Sequence, residues 1–245
     1  MTFNEVILGC SPFTLGYQFG HRSRLYELDF SGHPENILEV IDSAYDLNVD
    51  NIMFKVNEDL ERAIEMSLQE GNDWTVTAYT DCENIDDDLE LFSKFNTNRV
   101  ILSGEFVDRK IEKSDFEAIS TYLNRVSDAS FTPAIETMRP FNNIPAIRDS
   151  SIADDFRAIM IPLNFYGYMM DCNFFDSDNR NVFSDMVNSL NKEVIANRTL
   201  ATGILKPGEA YDFLKNIDYI DAVCVAVAKS SEAEETFSII NNILE

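Results

Sequence analysis

The chain has 245 residues, 45% of them apolar, 25% charged and 11% aromatic, and its 43 acidic against 19 basic side chains give a formal net charge of −24. This excludes a disordered or collagen-like chain, and the length suits one α/β domain over residues 1–245 with an ordinary core. No apolar run approaches the ~18 residues of a membrane span, the N-terminus lacks the pattern of a secretory signal, and an acidic surface repels nucleic-acid phosphates, so the expectation is a cytoplasmic protein that takes a small-molecule ligand, with no nucleic-acid or membrane partner.

Short β-branched or apolar runs recur along the chain, each followed by residues at helical spacing. The first run, Glu5–Gly9, leads into a long stretch from Cys10 to His33 in which glycines bracket Tyr17-Gln18-Phe19 and three basic side chains, His21, Arg22 and Arg24, follow. Loops of that length inside a domain are usually functional. It is therefore expected to be a binding lid, the alternative being a hairpin or plug at the amino-terminal mouth. Pro34 then sits at a first helical position ahead of Ile37, Leu38, Ile41 and Ala44. After the run Asn51–Phe54, Asn57 is placed to cap a helix with Leu60, Ala63, Ile64 and Leu68 on one side, ended by Gly71. The runs Trp74–Tyr79 and Arg99–Ser103 come next, and Ser114 with Glu117 reads as a capping box for a further helix. Phe131–Ile135 precedes a helix expected around Asn143–Ile152, with Pro145 interrupting it. Arg157–Leu163 opens into a second long loop, rich in aromatics and methionines, from Asn164 to Phe175. Glu193–Ala196, a helix opened by Pro207, Asp221–Ala228 and a helix opened by Ser230 or Ser231 complete the pattern.

Eight strand-then-helix units predict a single-domain (β/α)8 TIM barrel. A doubly wound open sheet would place a glycine-rich phosphate turn after the first strand, where Cys10-Ser11-Pro12-Phe13 stands instead.

In such a barrel the chemistry gathers at the carboxyl ends of the strands. Reading those ends gives Lys55, Glu105 and Glu136 as candidates for proton transfer, because paired carboxylates divide acid and base roles and a neighbouring Lys can donate a proton or form a Schiff base. An internal ion-pair network with Lys55, Arg139 or Arg198 is the structural alternative. Candidate substrate contacts are His21, Arg22 and Arg24 in the first loop, Asn164 and Tyr166 in the aromatic loop, and Asn197 and Arg198 after the seventh strand. Lys229 and Ser230, at a helix start, could bind a phosphate of a cofactor. No metal site is expected, since His21 and His33 are the only histidines and no complete ligand pattern surrounds them. Cys10, Cys82, Cys172 and Cys224 form no CxxC pair and read as reduced, structural thiols. Cys10, directly after the first strand, is the one placed to act as a nucleophile.

Three segments carry a family likeness. Val194-Ile195-Ala196-Asn197-Arg198-Thr199-Leu200-Ala201-Thr202-Gly203-Ile204-Leu205 resembles the seventh-strand segment of aldo/keto reductases. Val225-Ala226-Val227-Ala228-Lys229-Ser230-Ser231-Glu232-Ala233 resembles their eighth strand and following helix, and Ile7-Leu8-Gly9 with Gly16 to Gly20 is loosely similar to their opening. The resemblance implies a barrel, NADPH as cofactor and Lys229–Ser230 at its adenosine phosphate. Where that family holds its Asp, Tyr, Lys and His for carbonyl reduction, this chain has Lys55, Val56-Asn57-Glu58-Asp59, Tyr79-Thr80-Asp81 and Ser103-Gly104-Glu105. The leading expectation is thus a barrel enzyme acting on a small polar metabolite, carbonyl-bearing or phosphorylated. The alternatives are an NADPH-dependent oxidoreductase with a rebuilt acid and a non-catalytic binding barrel.

Overall fold

Each of the eight apolar runs folds as a strand, and the strands pair in parallel in chain order. They are β1 (Glu5–Leu8), β2 (Asn51–Lys55), β3 (Thr75–Thr80), β4 (Thr97–Leu102), β5 (Thr132–Glu136), β6 (Ala158–Pro162), β7 (Glu193–Asn197) and β8 (Ala222–Val225). The computed structural model describes residues 3–244, and in it β8 pairs with β1 from Glu5↔Ala222 to Leu8↔Val225, which closes the sheet into a barrel. The fold is the expected (β/α)8 TIM barrel. Ten α-helices accompany the strands among the described residues: α1 (Ser23–Phe30), α2 (Pro34–Tyr45), α3 (Glu58–Gln69), α4 (Ile85–Phe92), α5 (Gly104–Glu112), α6 (Phe116–Asp128), α7 (Pro140–Arg148), α8 (Ser177–Leu190), α9 (Pro207–Leu214) and α10 (Ser230–Leu244). None is long and apolar enough to cross a membrane.

Strand side chains alternate between the barrel interior and the helix layer. Interior positions form tiers. At the amino-terminal end Arg99 bridges Glu5 and Glu193, Asn51 donates to Glu5, and Thr77 donates to Asn51, so five strands are tied across the hollow. Two residues further along β2 comes Met53, level with the interior of β6 at Met160, and both form the floor of an upper cavity. Two residues further again come Lys55 on β2, Tyr79 on β3, Glu136 on β5 and Asn197 on β7. Polar, apolar, polar is the order from bottom to top.

Helix starts mostly follow the sequence signals. Pro34 and Pro207 begin α2 and α9, Ser230 begins α10, and the Asn57 side chain accepts from Leu60 N at 2.9 Å to cap α3. Two expectations are corrected. The cap of α6 is Asp115, which accepts from Ala118 N, because Ser114 is consumed in the left-handed turn (φ +54°) that closes α5. The helix expected around Asn143–Ile152 is α7, beginning at Pro140. Pro145 lies inside it and removes a single interior hydrogen bond, that to the carbonyl of Phe141. The amides of Phe141 and Asn142 donate to the Asp171 carboxylate at 2.9 and 2.8 Å, an anion from the distant aromatic loop at the helix start.

The Cys10–His33 excursion is neither hairpin nor amino-terminal plug. It folds as a short 3-10 helix (Tyr17–Arg22) running into α1, and Gly16, Gln18, Phe19, Arg22 and Tyr26 line the cavity at the carboxyl end.

Candidate active site

The carboxyl end of the barrel opens into a cavity of about 970 Å³. At its base Glu136, 4% exposed, closes the last turn of β5 and collects three donors. Tyr79 Oη donates to Oε2 at 2.6 Å, Gly104 N donates to the same oxygen at 3.0 Å, and Asn197 Nδ2 donates to Oε1 at 2.8 Å. Burial first, and the facing carboxylate second, hold the Tyr79 phenol well above the usual tyrosine range, so it stays protonated as a donor. Gly104 is required by this geometry, since a Cβ there would stand 2.9 Å from Met138 Cγ and 3.0 Å from Glu136 Oε2. The carboxylate is also positioned from behind. Asp108, buried between α5 and α7, accepts from Thr137 Oγ1 (2.6 Å), Asn143 Nδ2 (2.8 Å) and Met138 N (3.0 Å), which fixes the two residues after Glu136. Burial raises the Asp108 pKa above the ordinary carboxylate value, against these hydrogen bonds.

Lys55 reaches the cavity mouth, pairs with Asp81 at 2.9 Å and lies 6.0 Å from the centroid of the Tyr79 ring. Its strand position is in register with Tyr79 itself. Glu105 lines the cavity from the first turn of α5 but is exposed at the rim and makes no bond to Glu136. The neighbour of Glu136 is Tyr79. Strand alternation carries the signal for it, because Tyr79 is the interior position two residues after Thr77, whereas Thr80, the last residue of β3, turns to Asp88 and Asp81 beyond it pairs with Lys55 at the mouth. Among the described residues Glu136 is in no ion pair, Lys55 pairs with Asp81 and Arg139 pairs with Glu112.

The remaining candidates divide. Arg22, Asn197 and Arg198 line the cavity, with Arg22 Nη1 donating to Thr202 O and Arg198 Nη1 to Met169 Sδ. His21 and Arg24 are exposed outside the lining, and Arg24 pairs with Glu27. Asn164 is a loop clamp. It accepts from Tyr168 N and donates to the carbonyls of Tyr168 and Arg198. Tyr166 lies outside the lining in a surface cluster with Phe165 and Phe175. Lys229 and Ser230 are also outside the lining. Ser230 Oγ donates to Glu39, and the Ala228 amide beside them donates to the carboxylate of Glu232 at 2.9 Å.

Cys10 lines the cavity but is buried, and that burial raises its thiol pKa. Cys82 is pushed up to about 12 and the half-buried Cys172 to about 11, in both cases by burial. A nucleophilic Cys10 would need a lowered value. Native protein at pH 8 is therefore expected to react with Ellman's reagent slowly and at Cys172 first, with all four thiols reacting only on denaturation. Rapid stoichiometric labelling of Cys10, located by peptide mapping, would reverse that order. Among the described residues no group of three His, Cys, Asp or Glu could hold a metal ion.

A closed parallel barrel with a cavity on its carboxyl rim defines the class as a (β/α)8 barrel with the site position shared by enzymes of that architecture. Solved structures agree at the level of fold. A provisionally assigned aldo-keto reductase from Pseudomonas aeruginosa superposes with a TM-score of 0.66 at 11% identity, over 99% of this chain and 92% of that one. Tryptophan synthase from M. tuberculosis gives 0.59 at 10% identity (99% and 94%), and the tryptophan synthase subunit from Pyrococcus furiosus gives 0.53 at 9% identity (99% and 96%). No curated protein sequence matches the chain. One family profile, described as a ubiquitin interaction motif, matches residues 57–71. Those residues are α3 and its flanks, where Leu60, Ala63, Ile64 and Ser67 are buried in the core, while Glu65, Leu68 and Gln69 are exposed.

The NADPH implied by the aldo/keto resemblance does not fit the phosphate position. There, Glu232 already takes the Ala228 amide, Ser230 is bound to Glu39, and a carboxylate beside the amide repels a second anion.

Proposed function

We propose that residues 1–245 act as one cytoplasmic barrel domain, an enzyme that moves protons on a small polar metabolite bearing a carbonyl or a phosphate. The observation that carries this reading is the 2.6 Å hydrogen bond from Tyr79 to the buried Glu136 at the base of the cavity. A carboxylate fixed by three donors is a base held in one orientation, and a phenol kept protonated is an acid at neutral pH. Glu136 would take a proton from carbon next to the substrate carbonyl, and Tyr79 would give its proton to the developing enolate oxygen. The proton on Glu136 then returns to Tyr79 along their hydrogen bond, so the pair is restored. Lys55 at the mouth places positive charge near that oxygen, while Glu105, Arg22 and Arg198 would contact the outer part of the substrate.

The test is proton exchange. Small carbonyl and phosphorylated metabolites are incubated with the protein in D2O, and NMR follows loss of carbon-bound protons. Exchange that depends on Glu136 supports the reading; exchange unaffected by Glu136→Gln overturns it.

A second reading, an oxidoreductase with Tyr79 as its acid, is favoured by the Lys55↔Tyr79 register, which brings a Tyr and a Lys together on adjacent strands. It predicts a rise in melting temperature with millimolar NADPH, bound with its phosphate away from Lys229 and Ser230, where Glu232 and Glu39 already take the donors. Trp74 is no probe for this, since it is buried at the amino-terminal end of β3 against Tyr45 and Ser67.

A further inference from the structure

The cavity lining carries five carboxylates, Asp81, Glu105, Glu136, Glu232 and Glu235, and four basic side chains, Lys55, Arg22, Arg198 and Lys206. Among its basic side chains, Lys55 is paired with Asp81, Arg22 donates to Thr202 O, Arg198 donates to Met169 Sδ, and Lys206 is exposed. Four of the carboxylates, Glu105, Glu136, Glu232 and Glu235, form no ion pair among the described residues. Beside the deepest of them lies an independent signal. Asn197, 8% exposed, spends its amide nitrogen on Glu136, which fixes the side-chain orientation, and its Oδ1 is a buried oxygen with no donor among the described residues. An unfilled buried acceptor costs about 1–3 kcal/mol, and a donor from a ligand would remove that cost. The net charge of −24 adds a field that draws cations toward a cleft and holds anions off.

We infer that the cavity binds a ligand bearing a primary ammonium group, whose N–H donors meet Asn197 Oδ1 and Glu136 while Glu105 and Glu235 supply the surrounding negative charge. This rests on the proton-transfer reading for the identity of the site and narrows its substrate class to amine-bearing carbonyl compounds rather than phosphorylated ones. Glu232, seated on the Ala228 amide, points the same way, since an internal carboxylate occupies the place an anionic group would take.

The experiment is isothermal titration in about 150 mM salt, where exposed charges beyond a Debye length of about 8 Å are screened. The probes are 1,4-diaminobutane, its neutral counterpart 1,4-butanediol, and inorganic phosphate. One saturable diamine site is expected, with the diol and phosphate at least roughly tenfold weaker, the worth of one charge-assisted hydrogen bond. Asn197→Ala should weaken the diamine roughly tenfold. Glu105→Gln/Glu235→Gln, at exposed positions that leave folding intact, should weaken it at least about fivefold. Asp87→Asn/Glu90→Gln removes the same charge from the exposed face of α4, outside the cavity, and should leave the affinity within about twofold. Absence of a saturable site, preference for phosphate, or equal weakening by the cavity and surface pairs would overturn the inference. Those failures are separable from failure of the proton-transfer reading. Glu136-dependent exchange without diamine binding removes only the ammonium assignment, and diamine binding without exchange removes only the reaction.

Discussion

Glu136→Gln is expected to slow substrate proton exchange at least about 100-fold, a loss of about 2.7 kcal/mol in transition-state stabilisation, while the melting temperature stays within a few degrees. The contrast follows from hydrogen-bond accounting. Glutamine keeps a carbonyl oxygen that accepts from Tyr79 Oη and Gly104 N, the two donors that now share Oε2. Its amide nitrogen then faces Asn197, whose side chain can rotate to present Oδ1, now without a donor. Folding survives and basicity does not. Glu136→Leu differs, because it strands the Tyr79 hydroxyl, the Gly104 amide and the Asn197 amide at about 1–3 kcal/mol each. That variant should fail in a thermal melt before any kinetics are read. Equal exchange in wild type and Glu136→Gln, measured by NMR on folded protein, would remove Glu136 from the chemistry.

The second large effect lies at the opposite end of the barrel. Arg99→Met should destabilise by about 3 kcal/mol, lowering the melting temperature by about 6–12 °C for a chain of this size. Arg99, with 10% of its side chain exposed, is the cation that pairs with both Glu5 and Glu193 among the described residues, and these are 25% and 35% exposed. Their partial access to water keeps the cost near the lower end of the range for breaking a buried pair. A methionine fills the volume but leaves two carboxylates facing each other on β1 and β7. Adding Glu5→Gln and Glu193→Gln to Arg99→Met should therefore recover most of the loss by calorimetry. If the triple variant melts no higher than Arg99→Met alone, the packing of the arginine stem, not its charge, is what the barrel needs.

The barrel was legible because its eight runs are short, apolar and separated by capped helices, so period and spacing alone set the order of strands. The site was legible in part. Glu136, Lys55, Glu105, Asn197 and Arg198 line one cavity, since strand ends in a closed barrel converge whatever their sequence, and Arg22 joins them from the 3-10 turn. Tyr79 is the last interior position within its strand and not one of the residues that follow it, so only the alternation Asn51-x-Met53-x-Lys55 and Thr77-x-Tyr79 holds its place. His21, Arg24 and Tyr166 could not be placed by the same logic. Which face of a 3-10 turn or an irregular loop meets the cavity depends on packing between segments far apart in sequence. Lys229 and Ser230 fell outside the cavity for a local reason: Glu232, three residues after Lys229, folds back onto the backbone there and Ser230 turns to Glu39.

The Asp171 carboxylate that holds the first amides of α7 makes two regions inseparable. Helix α7 starts only four residues after Glu136, so the aromatic loop anchors, from outside the barrel, the stretch of chain on which the buried base sits. Shortening that loop or cleaving it ahead of Asp171 would loosen the helix start, and with it Thr137 and Met138. Drift in a segment that never touches the ligand would thus register as a change in the acid–base chemistry, which ties the length of this ornament to the barrel's reactivity.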